Sequence, residues 1–451
     1  MGRVATVRFM GLYVPVTAAF LLMLLRPKRK RIFPAALLGF VWTLPWLLAV
    51  QLLNLHFGWW QFSAQGGLFL GMPVDLYLGW AVLWGILPIL TFNRTGIFWV
   101  AALFFGVDLI LMPACSPVVG LGHRWLIGEL VALCVVLVPA QLVARWTFDD
   151  TQLRARSILH VLAAGGVFLF LLPEIVFALR PGRGWDALLS EPAWLRNLEL
   201  QAIVLLGVLG VSAVQEFAQR GKGTPIPYDP PKQLVISGFY RYISNPMQLS
   251  CALVMTAWGG VLRNPWLVTA GIMSFLYSWG LASWDEDEDM SVRFGKPWQE
   301  YRNNVHAWKL RLTPWHAPDR PPARLYIAES CGPCSELRRW FESHSATALQ
   351  IVAAEDHPTR DLRRITYDPM DGTDEEEGLC AFARGLEHVN LGWGFAGACL
   401  RLPGISHFGQ ILLDVTGLGP SLIPRRASKS SSAAPESGCS VKTAEGASIR
   451  A

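Results

Sequence analysis

SGFYRYISNPMQLS, residues 237–250, sets aromatic and basic side chains and an Asn-Pro step directly before an apolar run. A helix start leaves backbone N–H groups unused, so a residue without one is favoured there, and Pro246 is expected to open the next helix. Asn245 then takes the N-cap position, and the free amides of that turn are receptive to an anion. Taken alone, the same residues are better read as an anchor at a membrane interface, with Tyr and Arg among lipid headgroups.

The choice depends on what surrounds the stretch. The chain has 451 residues, 52% hydrophobic and only 16% charged, which is too apolar for an ordinary soluble multidomain protein. Runs long enough to cross a bilayer lie near 6–25, 33–53, 75–92, 96–114, 125–144, 157–178 and 197–218, with two more near 246–262 and 265–284. About nine transmembrane helices are therefore expected. The first run ends in RPKRKR (26–31) and not in small residues, so it reads as an anchor and not as a cleaved signal.

Those five cations place their loop in the cytoplasm. Alternation then puts Arg145, Arg154, Arg156, Arg220, Lys222, Lys232 and Arg241 inside, whereas 54–74, without Lys or Arg, falls outside, and the loop with Arg180, Arg183 and Arg196 is the exception. Topology thus accounts for the net charge of +5, and no separate basic face points to nucleic acid.

Composition divides the chain into four parts. Residues 1–195 read as transmembrane helices, 196–318 as three more apolar helices broken by polar segments, 319–424 as a less hydrophobic domain, and 425–451 as a Ser- and Ala-rich tail. The tail has too little apolar surface to offset its ordering entropy and is expected to be disordered.

After a helical hairpin the chain returns in WDEDED (284–289). Five consecutive acids cannot stay in hydrocarbon at roughly 2.5–3.5 kcal/mol each, so they leave it on the side where 237–246 begins. Two polar segments flanking a short hairpin can enclose one pocket.

GFYRYISNP, the hairpin, EDEDMSVRFGKPWQEYRNNV and a closing RLTPW together resemble the carboxy-terminal signature of the isoprenylcysteine carboxyl methyltransferase family and its phospholipid-methyltransferase relatives, over about 196–316. The resemblance implies an integral membrane enzyme that binds S-adenosylmethionine at the cytoplasmic face. Tyr240 and Arg241 match the family's Tyr-Arg, and Ser244, Asn245 and Pro246 stand where many members have Arg-His-Pro. Glu286 and Asp287 match a paired acid set, Phe294-Gly295 follow at the usual distance, and Trp298 and Tyr301 match two aromatic positions. Tyr240, Asn245, Pro246, Glu286, Asp287, Trp298 and Tyr301 are thereby implied to bind the cofactor. Acids offset a sulfonium charge and accept from ribose hydroxyls, and aromatic faces suit adenine and a cation. Arg241 is implied to orient an anionic methyl acceptor such as a carboxylate. Three departures stand out: the Arg and His of the triplet are gone, Gln248 replaces a common aromatic, and Asp287 is one methylene short. They leave the cofactor better specified than the acceptor.

Further on, ARLYIAESCGPCSELRRWFESH reads as a strand, Cys331-Gly-Pro-Cys334 and a helix. Helix-terminal amides lower the pKa of the first thiol, which favours dithiol exchange with Cys331 and Cys334 as the reacting pair. No second pair lies at zinc spacing, so no metal is expected. With TALQIVAAE and FARGLEHVNLGWGFAGACLRLPGI this region resembles the thioredoxin superfamily, in particular small bacterial thiol-disulfide oxidoreductases named for an Asp-Cys-Cys motif, although Ser330 stands where that Asp would be. A cytoplasmic dithiol reductant is the partner this implies.

In the first half, Pro73-Val74-Asp75 faintly resembles the acid motif of membrane lycopene-cyclase domains, but Leu76 breaks the acid pair and an aromatic belt accounts for the segment better. Asp108, Glu129 and Glu174 fall within membrane runs and are left without a role. The expected fold is a mainly α polytopic membrane bundle with a C-terminal α/β thioredoxin-like domain, in a bacterial inner membrane. The expected function is methyl transfer from S-adenosylmethionine to a lipophilic, isoprenoid or other lipid-like acceptor. A membrane-anchored thiol-disulfide oxidoreductase and a non-catalytic scaffold are the competing readings.

Overall fold

The computed structural model describes residues 2–25, 31–180, 183–224, 231–418 and 420–426. Among them, seven helices are long and apolar enough to cross a membrane: α1 (Arg3–Leu25), α2 (Ile32–Phe57), α3 (Val74–Thr91), α4 (Ile97–Ala114), α5 (Trp125–Asp149), α6 (Leu153–Leu179) and α7 (Ala193–Gly221). The hairpin that the sequence reads as two further spans is shorter. Its arms are α8 (Pro246–Val261, 16 residues) and α9 (Pro265–Tyr277, 13 residues), the second running through a π turn into α10 (Ser283–Phe294), which α11 (Lys296–Asn304) follows. At 1.5 Å per residue, α8 covers ~24 Å against a hydrocarbon core of ~30 Å.

Small residues let the first helices approach closely. A Cβ on Gly39 of α2 would lie 2.3 Å from the carbonyl oxygen of Gly85 in α3, so this crossing tolerates no side chain. Asp75, at the start of α3, pairs with Arg8 of α1 at 2.8 Å, which gives that acid a structural partner. Glu174 accepts from the Trp185 indole at 2.6 Å. Within the 54–74 loop and its neighbour, β1 (Trp60–Phe62) pairs antiparallel with β2 (Val119–Leu121), an ordered cap that the aromatic composition did not announce.

The C-terminal region forms a four-stranded sheet of β3 (Ala323–Ile327), β4 (Leu349–Ala353), β5 (Thr366–Asp368) and β6 (Glu376–Glu377), in spatial order β4-β3-β5-β6. β3 and β4 are parallel, joined by α12 (Gly332–Ser343), whereas β5 runs antiparallel to β3 and β6 antiparallel to β5. α13 (Leu379–Leu386) and α14 (Leu391–Leu400) follow. Alternation along β3 buries Ala323, Leu325 and Ile327 against Phe341 of α12 and Leu386 of α13.

The disorder expected from residue 425 falls mostly outside the described residues, but its first two positions are tied down. The Arg425 amide donates to Asp361 at 3.0 Å, and Arg426 pairs with Glu329 at 2.5 Å. The basic run 26–31 is likewise outside the described residues except for Arg31, which pairs with Asp150 at 3.0 Å.

Candidate functional site

Gly238 to Pro246 are all buried, which rules out the reading of this stretch as an exposed headgroup anchor. The burial has a definite cause. Glu216 lies in the last turns of α7, and the chain returns beneath it at Gly238, whose φ of +59° puts it in the left-handed region. A Cβ there would lie 2.8 Å from Glu216 Cγ, so glycine is required on both backbone and packing grounds.

From that turn successive side chains diverge. Tyr240 goes to one side, where its carbonyl accepts from the Tyr301 hydroxyl at 2.8 Å. Arg241 goes to the other and meets His388 Nδ1 at 3.2 Å. The Tyr242 hydroxyl donates to the Glu387 carbonyl at 2.9 Å, against Gly394.

On the Tyr240 side lies a narrow cleft of about 50 Å³. Tyr240, Asn245, Pro246, Glu286, Trp298 and Tyr301 all line it, so six of the seven residues implied for the cofactor come together from three segments. Asp287 does not line it. Instead it takes a bidentate pair from Arg302, Nε at 2.7 Å and Nη2 at 2.8 Å. Arg241, implied to orient the methyl acceptor, also lies outside the cleft.

Asn245 occupies the N-cap position of α8, with Pro246 at the first turn, but its side chain makes no cap hydrogen bond. Its amide donates to Gln248 Oε1 at 3.1 Å and to Ser283 Oγ at 3.5 Å, and its carbonyl oxygen accepts from Ser244 Oγ at 3.3 Å. Ser244 in turn accepts from Arg302 Nη1 at 3.2 Å. Arg302 is therefore a hub that fixes both Asp287 and the Asn245 side chain. It is the residue that sequence reasoning missed, although QEYRNN lay in the quoted signature, because nothing in the linear chain marks which acid an Arg will meet.

Electrostatics in the cleft are set by burial. Desolvation pushes Glu286 up to about 7; Asp287 adds to the rise, while Arg302 and a hydrogen bond with Asn245 oppose it. Burial also holds Tyr240 and Tyr301 well above the usual phenol range, so both remain donors at neutral pH. Tyr301 uses its proton on the Tyr240 carbonyl, whereas the buried Tyr240 hydroxyl has no partner among the described residues. An unsatisfied buried hydroxyl is costly, and here it belongs to a residue of the cleft wall.

Cys331 and Cys334 are joined in a disulfide with Cα atoms 5.2 Å apart, Cys331 at the N-cap of α12. Glu355 accepts from the backbone amides of Glu329 and Ser330 at 3.1 and 3.3 Å, one residue ahead of Cys331. The pair packs with Tyr326, Leu362 and Ile423, none of which lines the cleft, so the two candidate centres are separate.

What joins their regions is a buried ion network. Glu216 of α7 pairs with Arg384 and Arg401 at 2.7 Å each, Glu387 with Arg401 at 2.6 Å, and Glu376 with Arg384 at 2.7 Å. Arg220, one turn beyond Glu216, reaches Asp371 at 2.6 Å. No protein family, curated protein or solved structure matches the chain.

Proposed function

We propose that the chain is a membrane methyltransferase that uses S-adenosylmethionine on a lipophilic acceptor, as the resemblance to isoprenylcysteine carboxyl methyltransferases implies, with a fused dithiol module. The observation that carries the reading is the convergence of Tyr240, Asn245 and Glu286 on one cleft, with the Tyr240 hydroxyl buried and unpartnered. The donor set fits the cofactor's chemistry: an acid that ionises near neutrality, a free hydroxyl, an amide and aromatic faces. The present width does not hold the whole molecule, since about 50 Å³ accommodates only a few waters. Met247, Gln248 and Met290 line the wall, and unbranched side chains of this kind can move to widen it.

S-adenosylmethionine, when bound, supplies a methyl group carried on a cationic sulfur. Glu286 offsets that positive charge once ionised, and Trp298 offers an aromatic face. Tyr240 donates to an acceptor atom on the ligand, while Asn245, held by Ser244 and Ser283, orients it. Transfer of this kind depends on alignment and exclusion of water more than on strong acid-base catalysis. Phe217, at the end of α7, and Pro246, at the start of α8, both line the cleft, which supports an acceptor with an apolar tail reaching it from the bilayer. The inward, cytoplasmic face of a bacterial inner membrane is the corresponding location.

Labelled S-adenosylmethionine should bind the purified full-length protein and be lost in Glu286→Ala and Asn245→Ala. Absence of binding by the unaltered protein removes this reading.

A second reading, a membrane-anchored thiol-disulfide oxidoreductase, is favoured by the β3–Cys331–α12–β4 arrangement and the antiparallel β5 and β6 beside it. This strand order supports a thioredoxin-like domain. Its test is reduction of a disulfide substrate by the full chain supplied with a dithiol reductant: Cys331→Ser should abolish it, and an unchanged rate would exclude Cys331 as the nucleophile.

A further inference from the structure

A second cavity, of about 530 Å³, lies behind the segment that carries Leu234 and Val235, which line both spaces. Its walls come from every region that meets there: Arg220 from α7, Lys232 from the following segment, Arg241 from the signature stretch, His316 and Arg320 from the connector, and Asp371 from the C-terminal sheet region. The cavity exists only while the C-terminal region is docked.

Its charges do not balance. Arg220 is neutralised by Asp371 at 2.6 Å, and Lys232 shares Asp150, at 2.8 Å, with Arg31 and Arg156. Arg241 is 8% exposed, its Nε has no partner, and its one side-chain neighbour within hydrogen-bond distance is His388 Nδ1. That nitrogen also lies 2.8 Å from the Thr347 carbonyl oxygen, which can only accept. Nδ1 therefore carries a proton toward Thr347 and cannot accept from Arg241. Burial holds the imidazole well below its usual range, so it is neutral and adds no negative charge. Arg241 is thus a buried guanidinium without an acceptor among the described residues, and an uncompensated buried cation is strongly unfavourable. Arg320 is exposed and likewise has no ion-pair partner among the described residues.

We propose that this cavity binds a small molecule bearing a phosphate monoester, with Arg241 and Arg320 as its cationic ligands. Two unpaired guanidinium groups match a group that carries about −1.5 to −2 charges at neutral pH, and the planar fork of Arg suits phosphate oxygens. The cavity is larger than inorganic phosphate alone, which leaves room for an organic portion. This site is separate from the cleft and does not rest on the methyltransferase reading.

The test uses the full-length protein in a neutral detergent, with thermal unfolding followed while inorganic phosphate replaces chloride at constant ionic strength. A parallel arm uses vesicles of phosphatidylcholine with and without phosphatidic acid. Saturable stabilisation by inorganic phosphate identifies a soluble phosphate ester as the source, and a response confined to phosphatidic acid identifies a lipid headgroup. In either case Arg241→Gln and Arg320→Gln should each raise the half-saturating concentration by about tenfold or more. Arg320→Gln, at an exposed position, decides the matter should Arg241→Gln fail to fold. The proposal is overturned when neither probe stabilises the protein beyond the chloride and phosphatidylcholine controls, or when the response is the same in the folded variants.

Discussion

Glu216 and Arg384 meet at 2.7 Å with both side chains only 1% exposed, joining the end of a membrane-length helix to the C-terminal region across 168 positions of sequence. Arg401 lies at the same distance from the same carboxylate. Removing one member of such a network strands the others without solvent. Glu216→Gln should therefore cost on the order of 3–5 kcal/mol. Thermal unfolding and limited proteolysis of the full chain measure it, the expected outcome being early cleavage between the two regions. Unchanged protease resistance would show that the network does not hold them together.

Glu286 gives the cleft a pH dependence. Its carboxyl is raised from an ordinary value of about 4.3 to about 7. Between those values the folded state holds a proton that the unfolded chain has released. This contribution to stability is present at low pH and is lost as pH rises through 7. Binding of a cationic ligand runs the opposite way, because only the ionised acid attracts it. Affinity for labelled S-adenosylmethionine should rise from pH 6 to 8, and Glu286→Gln should remove that part of the rise.

Two tyrosines that differ only in what their hydroxyls touch should respond differently to loss of oxygen. Tyr301→Phe removes a 2.8 Å donor to the Tyr240 carbonyl and is expected to destabilise by about 1 kcal/mol. Tyr240→Phe removes a buried hydroxyl without a partner, so stability should hold or improve while ligand binding weakens. Unfolding curves alongside binding isotherms separate the two. Equal destabilisation by both would mean that the Tyr240 hydroxyl is already satisfied.

Gly238→Ala combines a φ of +59° with a Cβ 2.8 Å from Glu216 Cγ. Strain and steric displacement act together, and a loss of more than about 1 kcal/mol is expected. Because the displaced group anchors the network, the loss should be accompanied by the same early cleavage as in Glu216→Gln.

The order and composition of the residues determined a good deal. Apolar runs of membrane length, Pro246 at a helix start, and the strand and helix around Cys331 are all local properties, set by hydropathy, backbone preference and residue spacing, whereas six residues of the cleft wall were reached only through the family resemblance. Local patterns do not say which side of a short turn each side chain takes. Tyr240 and Arg241 are neighbours in the chain, yet the turn set by Gly238 beneath Glu216 sends one to the cleft and the other to the cavity behind it. Asp287 and Arg302 find each other only because α10 and the helix over Lys296–Asn304 fold back together. The docking of the C-terminal region was likewise unreadable, since a buried Glu or Arg carries no linear mark of its partner. Ion pairs between distant segments are chosen by the geometry that brings them out of water together, and that geometry belongs to the tertiary structure.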